Sequence, residues 1–370
     1  MNLSHWEYNT WFKGIDYTIV GSGIVGLSCA LELRRKYPKA KIVVLERGIL
    51  PRGASTKNAG FACFGSISEI LDDLEHHSPE EVLTLVRKRF EGIELLRSVL
   101  GDKELDFQQK GGHELFLEKD KALFEQCKEK LGFVNELLFP VFNGPAFELQ
   151  QNTFGFSNVA PHFVTNPFEG QIDTGSMMAA LLAKVQASGI QIYNAMEVLN
   201  YEEDARGLSV QTKELEFRTE KLIVATNGFA AKWLESDLKP ARAQVLITKP
   251  IPGLRIQGTF HFDKGYYYFR NVEDRILFGG GRNLNFKGEE TEELGLTDQI
   301  QEQLERFLHE VILPGTPFEI DRRWSGIMGV GSKKRPFVAR QSDRVSFGVR
   351  LGGMGIAIGS SVGRDLAHLA

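Results

Sequence analysis

Long apolar runs are missing from this sequence. No window approaches the ~18 consecutive apolar residues of a membrane-spanning helix, so no span is expected. Cysteine is scarce as well: Cys29, Cys63 and Cys127 are its only three, and none stands at a CxxC spacing. That excludes a disulfide framework and fits a reduced, cytoplasmic setting. Cys29 and Cys127 are expected to pack inside helices, and Cys63 to act as a small buried apolar residue. Charge of one sign is not in excess either, since 44 Lys and Arg meet 48 Asp and Glu for a net charge of −4. With no clustered basic face, a nucleic-acid partner is not expected. Residues 1–14 lack the basic segment and apolar stretch of a signal peptide, and Trp6 and Trp11 read as an arm packed on the body. No metal site is suggested, because His76 and His77 are adjacent just before a helix cap and read as solvated surface. No Ser or Cys sits in a nucleophile-elbow pattern.

Glycine is what the chain has in excess, 38 residues clustering at 21–26, 279–281 and 352–355, as if the backbone must approach something closely. Residues 15–20 read as a strand, residues 24–37 as a helix stopped by Pro38, and residues 41–45 as a second buried strand. Ser78-Pro79-Glu80-Glu81 opens a long helix with a capping box and Gly101 ends it. A strand over 114–117 and a helix over 120–131, closed by Gly132, are expected next. Asp173 caps a further helix that Gly189 closes. Strands follow over 190–198, 208–217 and 221–226, the last ended by Asn227-Gly228. Residues 242–290 alternate in the manner of an antiparallel sheet, with Tyr266, Tyr268 and Arg270 on one face and Tyr267 and Phe269 on the other. An amphipathic helix over 297–312, a strand through Val345, Phe347 and Val349, a glycine turn and a helix to Ala370 complete the chain.

The motif Gly21-Ser22-Gly23-Ile24-Val25-Gly26 follows a strand, opens a helix and precedes the acidic Glu46 by 20 residues. Gly21 permits the tight turn, Gly23 lets a pyrophosphate reach the backbone, and Gly26 lets helix and sheet lie close. The helix N-terminus faces the phosphates, and Glu46 can hold ribose hydroxyls. FAD and NAD use the same loop, so the loop alone does not choose between them.

The segment after Glu46-Arg47 makes the choice. Gly53-Ala54-Ser55-Thr56-Lys57-Asn58-Ala59-Gly60 resembles the second signature of the FAD-dependent D-amino-acid oxidase superfamily. That resemblance implies that Ala54, Ser55, Thr56, Asn58, Ala59 and Gly60 line the pyrophosphate and flavin ring. Ile172-Asp173, Val198, Ala225-Thr226-Asn227-Gly228, Trp324-Ser325-Gly326 and Gly352-Gly353-Met354-Gly355-Ile356 are similar, in order, to later family segments. By the same resemblance Val198 contacts adenine through its backbone. Ala225, Thr226 and Gly228 touch FAD from the other side, and Gly353, Met354, Gly355 and Ile356 set a helix N-terminus against the flavin. Tyr266 to Arg270 and Arg275 to Gly281 look closest to the gamma-glutamylputrescine oxidase branch. Sarcosine oxidase-type members attach FAD through a Cys around 324–330; none occurs here, so a noncovalent FAD is implied.

The resemblance also implies how the substrate is held: an Arg grips its carboxylate and a Tyr assists, while positioning over the flavin carries most of the catalysis. Tyr266 stands where glycine oxidase-like enzymes place a substrate tyrosine, with Tyr268 on the same face, although aromatic packing would account for both. The family's Arg is replaced by Met328. Either Arg270, Arg282 or Arg335 substitutes, or the substrate is an amine without an α-carboxylate. Lys264 is a candidate for activating oxygen. The expected fold is a doubly wound, Rossmann-like α/β FAD-binding domain of residues 1–80, 156–238 and 322–370. An α+β substrate domain of residues 81–155 and 239–321 is inserted on an antiparallel sheet. The expected activity is oxidation of the C–N bond of a small amine or amino acid by hydride transfer to flavin N5, with oxygen or another acceptor taking the electrons. A 2-hydroxy-acid dehydrogenase, for which His113 and His261 are the candidate catalytic histidines, and a catalytically silent flavin-binding protein are the alternatives.

Overall fold

The computed structural model describes residues 3–234 and 236–370. Strand Ile15–Val20 lies in parallel between Ile42–Leu45 and Glu216–Val224. Gln191–Tyr193 and Val345–Val349 extend the parallel sheet on either side. Phe337–Arg340 adds an antiparallel edge, and Val198–Asp204 with Gly207–Thr212 forms an antiparallel excursion that returns through Glu216–Val224. Successive side chains of a strand point to opposite faces. Ile19, Ile42, Val44 and Ile223 therefore join helices Ile24–Lys36, Thr174–Ala187 and Gly355–Leu369 in one core. Val20, Val43, Leu45, Leu222 and Val224 join Leu208, Val210 and Phe217 in another. Burial on both faces is why these strands read as unbroken apolar runs.

Helix Gly355–Leu369 packs against both Ile24–Lys36 and Pro79–Leu100, and small residues set the spacing. A Cβ built at Gly363 would stand 2.6 Å from the Val25 carbonyl oxygen, and one at Gly92 would stand 2.0 Å from that of Ala357. Neither position has room for a side chain against backbone.

The second sheet runs, strand by strand, Ile320–Val330, Lys239–Thr248, Arg275–Gly280, Tyr267–Val272, Thr259–Phe262, Gly112–Glu114, His162–Asn166 and Glu148–Gln151. It is antiparallel except where Thr259–Phe262 meets Gly112–Glu114. One face is aromatic: Phe260, Phe262, Tyr267, Phe269 and Phe278 pack with Ile300 and Leu304 of helix Asp298–Phe307. The Phe260 and Phe269 rings stack with centroids 4.7 Å apart. The other face carries Val245, Leu277 and Tyr268 against Ala59, Phe61 and Trp324, and so turns toward the glycine signatures.

The α/β class and the Rossmann-like sheet stand as read, while several boundaries move. The strand expected at 114–117 is Gly112–Glu114; Leu117 makes only an isolated bridge to Val159 before a short 3-10 turn. Gly132 does not end its helix, which runs from Lys121 to Phe142 and stops at Asn143 in a left-handed conformation. The ~1 kcal/mol that an internal glycine costs is outweighed by burial of Val134, Leu138 and Phe142 beyond it. The expected strands 190–198 and 208–217 each straddle a turn. Ala195 has φ +56° in the first, and Thr212 Oγ1 accepts from the Glu214 and Leu215 N–H groups in the second. The helix 297–312 is α-helical from Asp298 to Phe307 and closes in a π turn, Leu308–Ile312. The tryptophan arm also differs: Trp6 and Trp11 are exposed, and Phe12 anchors the segment against Tyr193 and Phe217. His76 and His77 are exposed, and all three cysteines are buried. Among the described residues no helix is long and apolar enough to cross a membrane.

Candidate active site

The glycine loop, the far ends of the parallel strands and the inward face of the second sheet line one cavity of about 850 Å³. Each glycine of the loop has a distinct steric reason. Gly21 adopts φ +107°, and a Cβ there would stand 2.9 Å from the Ala225 carbonyl oxygen. A Cβ on Gly26 would stand 2.0 Å from the Gly21 carbonyl, and one on Gly23 would meet Ser55 Oγ at 2.9 Å. The N-terminus of helix Ile24–Lys36 opens on the cavity, and the Ile24 N–H donates to Ser55 Oγ at 3.0 Å. Glu46 is buried at the strand end. Its Oε2 accepts from Ser22 Oγ at 2.8 Å and from the Ser22 N–H at 3.3 Å, and its Oε1 accepts from the Gly48 N–H at 2.9 Å.

The stretch after Glu46 is held by its own amide. Asn58 Nδ2 donates to the Ala54 and Ser55 carbonyls, while Asn58 Oδ1 accepts from the Gly60 N–H at 2.8 Å and from Thr174 Oγ1 at 3.0 Å. Trp324 Nε1 ties the Lys57 carbonyl down at 2.9 Å. On the opposite wall Asn227, itself at φ +49°, accepts through Oδ1 from the Arg350 and Leu351 N–H groups at 3.1 and 3.3 Å. That bond fixes the left-handed turn Arg350, Gly352 and Gly353 from which helix Gly355–Leu369 starts. Met354, Gly355, Ile356 and Ala357 line the cavity, so a second helix N-terminus opens onto it.

Most residues singled out as cofactor contacts line this space: Gly21, Gly23, Ile24, Val25, Glu46, Arg47, Ala54, Ser55, Asn58, Ala59, Gly60, Val198, Ala225, Thr226, Gly353, Met354, Gly355 and Ile356. Ser22, Gly26, Thr56 and Gly228 do not. Ser22 positions Glu46, Gly26 lets its helix pack on the loop, Thr56 Oγ1 donates to the Pro51 carbonyl, and Gly228 lies flat on the Met328 backbone. Arg47 stacks on Phe229 with 3.8 Å between guanidinium carbon and ring centre.

The five proposed catalytic side chains separate. Tyr266, Tyr268, Lys264 and Arg282 line the cavity. Burial pushes the Tyr268 phenol up to about 12. The turn Asp263, Lys264 and Gly265, all at positive φ, presents Tyr266 and places Lys264 Nζ 3.0 Å from Asp72, whose carboxylate raises the lysine pKa. Arg282 packs on Phe286 at 4.7 Å and has no hydrogen bond or ion pair through its side chain among the described residues, and burial lowers its pKa. Arg270 is buried, with its Nη2 3.0 Å from where a Cβ on Gly60 would stand, and does not line the cavity; burial lowers it to about 10. Arg335 is exposed and also does not line it. Met328 does, lying against Gly353.

Several lining residues went unnoticed in the sequence. Phe61, Glu69, Asp72 and Arg89 come from segments far apart in the chain. Arg89 is buried and donates to the Phe64 carbonyl at 2.6 Å, while the buried Glu169, whose pKa burial raises, accepts from the Phe64 N–H at 2.6 Å, so both backbone groups of Phe64 are held by side chains. The spacing of Arg89 on its helix marks it as core-facing, a signal that it would be paired or functional. Of the two histidines, His113 bonds Thr165 Oγ1 at 2.8 Å outside the cavity, and burial holds it down to about 4. His261 lines the cavity.

Two helix N-termini on one cavity, loop glycines where an added Cβ would strike backbone or Ser55, and an acidic residue at the second strand end fit a dinucleotide carrying phosphates at its centre. The fold and the cavity therefore define a dinucleotide-binding α/β protein. The DAO family, FAD dependent oxidoreductases, matches residues 16–369, so the chain belongs to that family and is an FAD-dependent oxidoreductase. It is 24% identical over 274 residues to glycine oxidase of Geobacillus kaustophilus (strain HTA426), covering 71% of this chain and 69% of that protein. It is 22% identical over 373 residues to gamma-glutamylputrescine oxidoreductase of Escherichia coli (strain K12), covering 96% and 83%. Among solved structures, L-proline dehydrogenase from P. horikoshii aligns with a TM-score of 0.75 at 18% identity, over 96% of this chain and 92% of that one.

Proposed function

We propose that the chain oxidises the C–N bond of a small amino acid whose carboxylate pairs with Arg282, using a noncovalently held FAD. The observation that carries this reading is the state of Arg282. Its guanidinium is half-buried, reaches the same cavity as the glycine loop and makes no ion pair among the described residues, the Glu289 and Glu290 carboxylates acting on it only from further off. A partly desolvated cation of that kind favours a bound anion, and a planar guanidinium matches a carboxylate with two parallel hydrogen bonds. Arg282 then supplies what Met328 cannot, with Tyr266 beside it.

In this reading residues 1–80, 156–238 and 322–370 hold the cofactor, and 81–155 with 239–321 close over the substrate. The first turn of helix Ile24–Lys36 would take the pyrophosphate, Glu46 the ribose hydroxyls and Val198 the adenine. Ala59, Gly60 and the start of helix Gly355–Leu369 would take the flavin ring. When bound, FAD supplies the hydride acceptor. The protein's part is placement: Arg282 and Tyr266 fix the substrate's carboxylate end, Tyr268 and Phe61 bound the inner chamber, and both sheets exclude water. Lys264 keeps a positive charge at this end of the cavity through its pair with Asp72.

The test is an anaerobic screen of the purified holoprotein against amino acids, decarboxylated amines and 2-hydroxy acids, followed by admitting oxygen. Bleaching of the flavin absorbance by an amino acid, and far more slowly by its decarboxylated amine, is the expected result. Bleaching by 2-hydroxy acids alone, or by nothing in the screen, refutes it.

A further inference from the structure

Strand Thr259–Phe262 places Phe260 and Phe262 in the aromatic core, so His261 points the other way, into the cavity beside its cross-strand neighbour Tyr268. The imidazole is 8% exposed and lies against the Phe61 ring with centroids 5.2 Å apart. Phe61 directly follows Gly60, so this ring stands at the part of the cavity assigned above to the flavin. His261 Nε2 is enclosed and has no hydrogen-bond partner among the described residues. An enclosed ring nitrogen left without a partner is unfavourable, and a ligand group that bonds to it relieves that penalty.

Burial lowers the His261 pKa, which keeps the ring neutral and able to accept, and the nearby Glu69 carboxylate favours its protonated form. Glu69 lines the same cavity and is half-buried, with its Oε2 accepting from the Ser66 N–H at 2.9 Å. Other charged or titratable groups on the neighbouring strands are Glu114, His113 and Tyr268, and Cys63, Asp72, Arg89 and Lys264 line the same cavity. Burial raises Glu114 to about 7, Tyr268 to about 12 and Cys63 well above its usual range. Tyr268 and Cys63 therefore stay uncharged near neutral pH.

We infer that His261 is a catalytic residue that takes the proton from the substrate's ammonium group. An amino acid in neutral water arrives as an ammonium and gives up no hydride until its nitrogen lone pair is free. One N–H bond of the ammonium breaks, an N–H bond forms at the imidazole, and the lone pair stays on the substrate nitrogen. The imidazolium is stabilised by the Glu69 carboxylate. The inference rests on the proposed amino-acid oxidation and adds to it the group that prepares the substrate.

The experiment compares the wild-type holoprotein with His261→Asn and His261→Phe by anaerobic stopped flow, measuring the second-order rate of flavin bleaching from pH 6 to 10. Without an internal acceptor the substrate must lose its proton to water before binding. The variants' rate constant should then rise about tenfold per pH unit up to the substrate's own amine pKa, while the wild-type rate stays nearly flat. At pH 7 the variants should be slower by about tenfold for each unit by which that pKa exceeds 7, and they should approach the wild type above it. Two replacements of different polarity, each checked for bound flavin by its absorbance spectrum, separate this effect from loss of fold. A pH-independent loss, or a variant profile that parallels the wild type, overturns the role of His261 and leaves the proposed function intact. A wild type that no amino acid reduces overturns both.

Discussion

Replacing Gly92 by alanine adds one methyl group at the contact between helices Pro79–Leu100 and Gly355–Leu369. The ideal Cβ would stand 2.0 Å from the Ala357 carbonyl oxygen and 3.2 Å from the Ile358 Cα, both backbone atoms that no rotamer change can move. Ordinary contact begins at 3.4 Å, so one helix must shift by more than an ångström or bend. The Gly92 carbonyl also accepts a hydrogen bond from Ser360 Oγ at 2.5 Å, which such a shift would break. Overpacking a core costs about 1–3 kcal/mol, and a lost buried hydrogen bond adds about 1 kcal/mol. We therefore expect Gly92→Ala to lower the unfolding free energy by about 2–4 kcal/mol. Ala357 and its neighbours line the cavity, so FAD affinity should fall with it. Gly132→Ala is the internal control: it sits inside a helix with nothing within 4 Å of its Cβ, and should stabilise by about 0.5–1 kcal/mol. Urea denaturation of the two variants, with FAD titration of the apoproteins, gives both quantities. A Gly92→Ala protein as stable as the wild type would refute the packing argument, and so would equal shifts in the two variants.

Arg282→Ala should reduce the second-order rate of flavin bleaching by a carboxylate-bearing substrate about 10- to 150-fold, the worth of a charged hydrogen-bonded pair, while leaving the flavin spectrum and thermal midpoint unchanged. An equal loss with the decarboxylated amine would argue against carboxylate pairing. Burial raises Glu169 to about 8, so the folded state holds a proton that the unfolded state releases near 4.5. Stability should accordingly decline as the pH rises from about 5 to 8, by at most about 1.4 kcal/mol per unit; Glu169→Gln should flatten that slope in denaturant titrations, and an unchanged slope would assign it to other groups. Trichloroacetic acid precipitation should release the flavin into the supernatant, because none of the described residues 324–330 is a cysteine; a yellow pellet would show covalent attachment.

Local patterns were the legible part of this chain. Gly21, Gly23 and Gly26 declare their roles through spacing, because turn, phosphate approach and helix packing all lie within six residues. The alternation likewise gave the correct faces for Tyr267, Tyr268 and Phe269, whereas Tyr266 lies in the turn before the strand. What that alternation could not do was rank Arg270 against Arg282. Both are arginines near aromatic strands, and only the fold shows that Arg282 lines the cavity while Arg270, packed at Gly60, does not. Gly132 misled for a related reason, since glycine ends helices by default and burial of Val134, Leu138 and Phe142 overrode it. Arg89 and Glu169 were invisible because their shared partner is the backbone of Phe64, 25 and 105 residues away. Side-chain-to-backbone bonds of that reach leave no pattern in composition.

The central strand Ile15–Val20 completes its pairing only when Glu216–Val224 arrives some 200 residues later, and its helix is covered only by residues 355–369. During synthesis the nucleotide loop therefore waits for residues 216–224 and then 355–369 before its walls exist. Until then its apolar strands stay uncovered, a state that invites chaperones and aggregation. Cofactor capture is correspondingly a late event, and removing the helix that begins at residue 355 would uncover the helix that follows the nucleotide loop.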